Sequence, residues 1–297
     1  MPIAEFNDIY RAYERGKNVL DGVSFSIEPG QVVGLVGKNG AGKTTLLRIA
    51  MGMIEVQQGS VQLFGLDPRE QSIEVKQRVG YVSEDQILPP VMRVDAIINL
   101  HRGLFPTWDE EVAQQLIERF EIPRRAKIKN LSKGQARQVA LVCAIAHRPE
   151  LLLLDEPAGG LDPAARREFL ETSIRLLNET GSTILFSSHY MTDVERLADR
   201  IVMIHDGRVL IDTELDELRE NYSLALVPNE AACSRADLLA LSECLGVRDR
   251  SDALHAIFEL EPERTNKLLE HKLGVRDARC TRIALEEMFI ELAGGQG

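Results

Sequence analysis

The chain has 297 residues, 44% of them hydrophobic and 27% charged. That is the balance of a soluble globular protein with room for one large domain or two modest ones, and it excludes a disordered tail or a collagen-like rod as the main architecture. Thirty-five Lys and Arg against 46 Asp and Glu leave a net charge of −11, which argues against general nucleic-acid binding, because affinity for the phosphate backbone comes from basic residues displacing counterions.

Taken in chain order, the first segment reads as strands. Met1-Pro-Ile-Ala-Glu-Phe-Asn-Asp carries no basic stretch and no apolar run, so no secretory signal is expected. A strand over Val19–Ile27 stops at the turn signal Pro29-Gly30, and Gln31–Val36 is a short apolar run suited to a buried strand. Gly37-Lys38-Asn39-Gly40-Ala41-Gly42-Lys43-Thr44-Thr45 follows, opening a helix over Thr44–Met53, with further strands at Ser60–Phe64 and Val79–Ser83. From Pro89 to His147 the pattern is helical, with three- and four-residue apolar spacing in Arg93–His101 and Asp109–Phe120. Ser132 is the N-cap of a helix running through Ala146. The longest apolar run, Val139 to Ala146, is far short of the roughly 18–20 residues that cross a bilayer.

After Pro149 a strand–helix rhythm returns. Leu151–Leu154 is all aliphatic, as in a parallel sheet buried on both faces, and it ends in Asp155-Glu156. Asp162-Pro163 supplies an N-cap and a first-turn proline for a helix to about Glu179. Thr183–Ser187 is the next strand, and Asp206-Gly207 between Ile201–His205 and Arg208–Asp212 predicts a type I′ hairpin. Near Tyr222 the character changes. Ser223–Val227 and Leu254–Glu259 are the strands of a small α/β appendage, with helices near Glu263–Lys272 and Ala284–Leu292. Strands separated by helices imply a mostly parallel sheet with an inserted helical lobe. Cys143, Cys233, Cys244 and Cys280 are scattered with no Cys-x-x-Cys pair, so they read as reduced thiols in a cytoplasmic protein.

The Gly37–Thr44 stretch matches G-x-x-x-x-G-K-[ST] in full. Small residues there turn successive backbone N–H groups toward one anion, and the helix that follows adds its positive end. Lys43 brings a point charge to the outer phosphates, and the Thr44 hydroxyl is placed to ligate Mg²⁺. Asp155 and Glu156 stand at the C-terminal end of a strand, the edge where ligands bind in open parallel sheets. Asp155 is expected to hold Mg²⁺ through its water shell, and Glu156 to orient and deprotonate the attacking water. His189, just past the strand Thr183–Ser187, is placed to stabilise charge on the γ-phosphate or help hold the water.

Leu131-Ser132-Lys133-Gly134-Gln135 adds a second anion-binding helix N-terminus to a chain with one phosphate loop. The economical explanation is that it serves the nucleotide of another copy. Here the sequence resembles the ATP-binding subunits of ABC transporters, from Ile3 to about Glu220. The stretch is similar to that family's Leu-Ser-Gly-Gly-Gln signature and departs from it at Lys133. The resemblance implies roles for further residues. Tyr13 is similar to the aromatic that stacks on adenine, Asp162 in Gly160-Leu161-Asp162 to the acidic residue of the loop crossing the dimer interface, and Glu84 stands where the family has a glutamine contacting Mg²⁺. Gln86 takes that place only with a two-residue slip.

The fold implied is α/β, a RecA-like P-loop NTPase core over residues 1–220 with a helical subdomain inserted at about 88–148, and a C-terminal accessory α/β domain over 221–297. The function implied is Mg²⁺-dependent ATP hydrolysis that drives export. The partners would be a second ATP-binding subunit, identical or not, and separate transmembrane permease subunits, with the chain peripheral at the inner face of the membrane and no nucleic acid involved. Pro106-Thr-Trp108-Asp109, the Lys133 signature and Leu285–Leu292 look most like bacterial ABC-2-type exporters. The competing reading is a soluble ABC ATPase acting on a non-transport macromolecular partner. A further competitor, a regulatory ATP-binding module with little turnover, is opposed by the intact Asp155, Glu156 and His189.

Overall fold

A computed structural model describes residues 1–14, 16–84, 88–159, 166–167, 169–172, 181–229, 231 and 233–293. Gln86, Asp162 with its loop, and most of the helix expected to follow it lie outside the described residues. The chain divides into two compact units, Met1–Asp212 and Thr213–Gly297, whereas the sequence changes character near Tyr222.

In the first unit, β1 (Ala4–Glu14), β2 (Lys17–Ile27) and β4 (Gln58–Leu63) form an antiparallel sheet in the order β2-β1-β4. The second sheet has six strands: β3 (Val32–Val36), β5 (Val79–Val82), β6 (Leu151–Leu154), β7 (Thr183–Ser188), β8 (Arg200–His205) and β9 (Arg208–Glu214). Their order is β5-β6-β7-β3-β8-β9. The pairs from β5 through β8 are parallel. Every residue of β3, β6 and β7 is buried, which is why β3 and β6 read as unbroken apolar runs rather than alternating ones, while β7 adds Thr183 and two closing serines to an apolar centre. The helix α1 (Lys43–Ala50) packs with both sheets into one core that includes Phe6, Leu35, Leu47 and Leu153. The Asp206-Gly207 turn has positive φ at both residues, 46° and 76°. That pair is the I′ geometry expected, and a Cβ at position 207 would stand 2.7 Å from the Val19 carbonyl oxygen.

The helix α2 (Ser72–Arg78) leads into β5, and the helical lobe contains α3 (Val94–Leu104), α4 (Glu110–Arg119) and α5 (Lys133–Ile145). Asp109 caps α4, accepting from the N–H groups of Glu111 and Val112 at 2.9 and 3.0 Å and from Arg148 Nε at 2.6 Å. Those bonds, Val112 first and then Arg148, hold its carboxyl below the ordinary value of 3.8. Asp109→Ala is therefore expected to cost about 1–2 kcal/mol, read as a fall of a few degrees in Tm. A depressed carboxylate pKa stabilises the fold above the unfolded value and ceases to do so as pH falls through the folded one. The gap between wild type and variant should therefore close below pH 3.8 and be full at neutral pH. A gap that widened on acidification would contradict the assignment.

The second unit is an antiparallel sheet of β10 (Ser223–Pro228), β11 (Cys244–Asp249), β12 (Ala253–Phe258) and β13 (Arg279–Arg282), in the order β11-β12-β10-β13. Short helices Arg235–Leu239 and Pro262–Leu273 make the two crossovers. This is the split β-α-β of ferredoxin-like folds. A further helix, Leu285–Ala293, packs on β11 and β12. The sequence reading missed β11 and β13. Both are edge strands, and Arg-Cys-Thr-Arg has no apolar run to announce it.

Candidate functional site

The loop between β3 and α1 wraps a cavity of about 490 Å³ whose walls include the Lys38–Thr45 stretch, Tyr13, Glu84 and Glu156. Gly42 precedes α1 with φ 106°, and a Cβ there would come 2.8 Å from the Val19 carbonyl and 2.6 Å from Leu20 Cδ2. Only glycine fits this backbone. No side chain caps α1 and no acidic residue lies in its first turn, so its leading N–H groups face an anion without a built-in competitor. Lys43 folds back over the loop, donating to the Gly37 carbonyl at 2.7 Å and the Lys38 carbonyl at 3.4 Å. Gly37 and Ala41 shape the loop from behind, with the Ala41 N–H bonded to the Lys38 carbonyl at 3.1 Å.

Strand order brings three more loops to the edge on which this cavity opens. β5, β6, β7 and β3 are parallel neighbours, so the residues past their C-terminal ends share one edge. Asp155 follows β6 and Oδ1 accepts from Thr44 Oγ1 at 3.0 Å and from Ser187 Oγ at 2.9 Å. Its Oδ2 is buried without a hydrogen-bond partner. Burial pushes the Asp155 carboxyl up, opposed by the Ser187 and Thr44 hydroxyls. Glu156 is buried with φ 45°, a left-handed conformation that costs a side-chain-bearing residue of order 1 kcal/mol. Its N–H donates to Ser187 Oγ at 2.8 Å, its Oε1 lies 3.4 Å from Lys43 Nζ, and its Oε2 lies 2.8 Å from His189 Nδ1. An ionised carboxylate only accepts, so His189 Nδ1 carries the proton in this pair.

Ser187 thus ties the Asp155 carboxylate and the Glu156 backbone to the end of β7. The sequence reading did not assign it a role, although a pair of serines closing a buried apolar strand was the available signal. Tyr13 lies on β1 with 56% of its surface exposed, its ring beside the cavity and its hydroxyl 3.2 Å from Thr45 Oγ1. Glu84 is exposed on the cavity wall just past β5.

The Leu131–Gln135 stretch forms the start of α5 as expected. Ser132 Oγ accepts from the Gln135 N–H and Gln135 Oε1 accepts from the Ser132 N–H, both at 3.1 Å. None of these five residues is among the described residues lining the nucleotide-sized cavity. Arg137, two residues beyond Gln135, is half-buried rather than solvated. Its Nη2 donates to the Glu84 carbonyl at 3.0 Å and its Nη1 is buried. The side chain therefore ties α5 to the loop carrying Glu84.

A family model described as ABC transporter matches residues 20–159, which span the phosphate loop, the helical lobe and the Asp155-Glu156 strand. The ABC transporter ATP-binding protein YtrB of Bacillus subtilis (strain 168) is 30% identical over 281 residues, 95% of each chain. The chain belongs to the ABC transporter ATP-binding proteins. Another member of this family, the Nod factor export ATP-binding protein I of Burkholderia lata, is 30% identical over 99% of this chain and 98% of its own. A solved structure described as the ATP binding subunit of an ABC transporter shares 29% identity with a TM-score of 0.66, covering 73% of this chain and 92% of that one. As an ABC ATPase the chain binds ATP, hydrolyses it and couples that reaction to a transporter. The RecA-like P-loop core read from the sequence is the fold observed.

Proposed function

We propose that this ABC ATPase drives export through separate membrane subunits, hydrolysing ATP in a dimer in which each chain completes the other's site. One observation carries the dimer. The phosphate loop and Glu156 line one cavity, and Asp155 and His189 bond directly to Thr44 and Glu156 of that lining, whereas the second anion-binding end, at Ser132, is exposed, lies outside the described lining and bonds to Gln135 of its own helix. The export reading is supported by the Nod factor export relative, which matches nearly the whole chain.

In this reading Tyr13 stacks on the adenine, and the N–H groups of the phosphate loop with Lys43 hold the phosphates. Thr44, Asp155 and Glu84 would hold Mg²⁺. The fit rests on the hard oxygen donors of Thr44 and Asp155, 3.0 Å apart, and on the buried Asp155 Oδ2 that has no other partner. Among the described residues no group of three or more His, Cys, Asp or Glu forms a metal site alone, so phosphate oxygens and water would supply the other ligands. Held there with ATP, Mg²⁺ would supply positive charge to neutralise the phosphate oxygens.

Glu156 takes the proton of the attacking water. Its pairing with Lys43 gives the step an order. A phosphate entering the cradle competes for Lys43 and leaves the Glu156 carboxylate free to accept that proton. His189 donates to Glu156 Oε2 and fixes the carboxylate plane. The products are ADP, phosphate and the proton released.

Among the described residues no helix is long and apolar enough to cross a membrane. We assign the permease contact to the edge of the helical lobe, where Leu88, Leu104 and Phe105 of the lobe and Tyr81 and Met51 of the core line a cleft of about 240 Å³, and where the lobe also exposes Val91 and Leu100. The chain would then sit at the inner face of the membrane through its partner.

The test is Ser132→Arg. A large cation at the exposed N-terminus of α5 should abolish turnover, while ATP affinity of the single chain, set by its own cradle, stays within about twofold. ATPase assays beside nucleotide titrations check this. Full turnover in the variant would remove the shared-site proposal.

A further inference from the structure

Among the described residues the His189 side chain makes one hydrogen bond, to Glu156, and 39% of it is exposed. A single bond leaves the imidazole free to swing about it, so something else must hold the ring. The residue beside it does. The Tyr190 ring lies 4.0 Å from the imidazole, centroid to centroid, tilted by 39°. The Arg166 guanidinium lies 3.8 Å from the same tyrosine centroid. Both groups lie against the tyrosine ring, so the position of the imidazole is coupled through that ring to Arg166. Arg166 is itself fixed, with Nε 3.2 Å from Asp193 Oδ2 and both side chains only 15% exposed. Asp193 is tied back to the same turn, its N–H donating to the Tyr190 carbonyl at 3.2 Å, and the Tyr190 N–H donates to Ser188 Oγ at 3.0 Å.

We infer that Tyr190 and Arg166 are positioning residues for hydrolysis, forming a brace that holds His189 against Glu156. The sequence Asp193–Arg166–Tyr190–His189–Glu156 runs from an ion pair through a cation–π contact and a tilted ring contact to the catalytic carboxylate. The inference rests on the reading that Glu156 and His189 are catalytic. It extends that reading, because neither Tyr190 nor Arg166 touches the reacting atoms. A misplacement of about 1 Å in a catalytic group costs up to about 100-fold in rate, so the brace should appear in kcat and not in nucleotide affinity.

The experiment is steady-state ATP hydrolysis by the full chain, with affinity for a fluorescent ATP analogue measured on the same preparations. Tyr190→Ala should lower kcat by about tenfold or more, with KM and analogue affinity within about twofold. Tyr190→Phe keeps the ring and should restore kcat to within about twofold of wild type. Arg166→Met, which removes the charge over the ring, should fall between the two. If Tyr190→Ala does not fold by circular dichroism, Tyr190→Leu, which fills the space without a π face, takes its place with the same expectation. The inference is overturned if Tyr190→Ala or Tyr190→Leu keeps kcat within twofold, or if Tyr190→Phe falls as far as the alanine variant. Glu156→Gln and His189→Ala, run alongside, separate the two levels. If both retain wild-type kcat, the catalytic reading fails. If both lose it and the Tyr190 variants do not, only the brace fails.

Discussion

Glu156→Gln is expected to reduce kcat for ATP hydrolysis by about 100-fold or more, the scale of a lost general base, while ATP binding survives. The amide has the volume of the carboxylate and its oxygen still accepts from His189 Nδ1, but it cannot take a proton from water. The change also relieves Lys43 of its anionic neighbour at 3.4 Å, so nothing in the variant weakens the hold on phosphate. Bound ATP that is not cleaved should therefore accumulate in the closed dimer. Light scattering on the purified variant should show a dimer with Mg²⁺ and ATP and a monomer without. Equal monomer fractions in the two conditions would contradict the shared site.

Lys43→Ala is expected to abolish turnover by a different route. The charge that the phosphates meet is gone, and charge-assisted bonds of this kind are worth about 1.5–3 kcal/mol each, so ATP affinity should fall by about 10- to 100-fold. A second loss is internal. Lys43 and Glu156 are both more than nine-tenths buried, and removing one partner of a buried pair commonly costs about 3–5 kcal/mol because the other charge is stranded. The variant should therefore melt at lower temperature than wild type as well as fail to bind, whereas Glu156→Gln should bind and not turn over. Nucleotide titration and thermal melting of the two variants side by side distinguish the roles. Unchanged turnover in Lys43→Ala would remove the phosphate assignment altogether.

Much of this site was legible in the sequence because its parts are local. A phosphate loop is one uninterrupted run, and its geometry follows from where glycine stands. Gly42 occupies a backbone no other residue fits, and the helix begins at the next residue. Ser132 caps α5 through a bond to a residue three positions on, and Asp206-Gly207 closes its turn within two residues. Leu151–Leu154 declared a doubly buried strand by having no polar face. In each case the physical cause and its consequence lie within a few residues of each other, so pattern alone determined the element and its chemistry.

The tertiary structure decided what meets what. Thr44 and Asp155 are 111 positions apart in the chain and 3.0 Å apart in space because β6, β7 and β3 are neighbours in an order that no local pattern encodes. Strand order is set by which apolar faces and crossovers pack together across the whole core, and that long-range packing carries Ser187 to the Asp155 carboxylate and the Glu156 N–H, Arg137 to the Glu84 carbonyl and Arg166 to the Tyr190 ring. A serine, two arginines and a tyrosine are ordinary surface residues when read one at a time. Their roles come from long-range packing, and a one-dimensional pattern holds no record of which distant residue that packing will bring within reach.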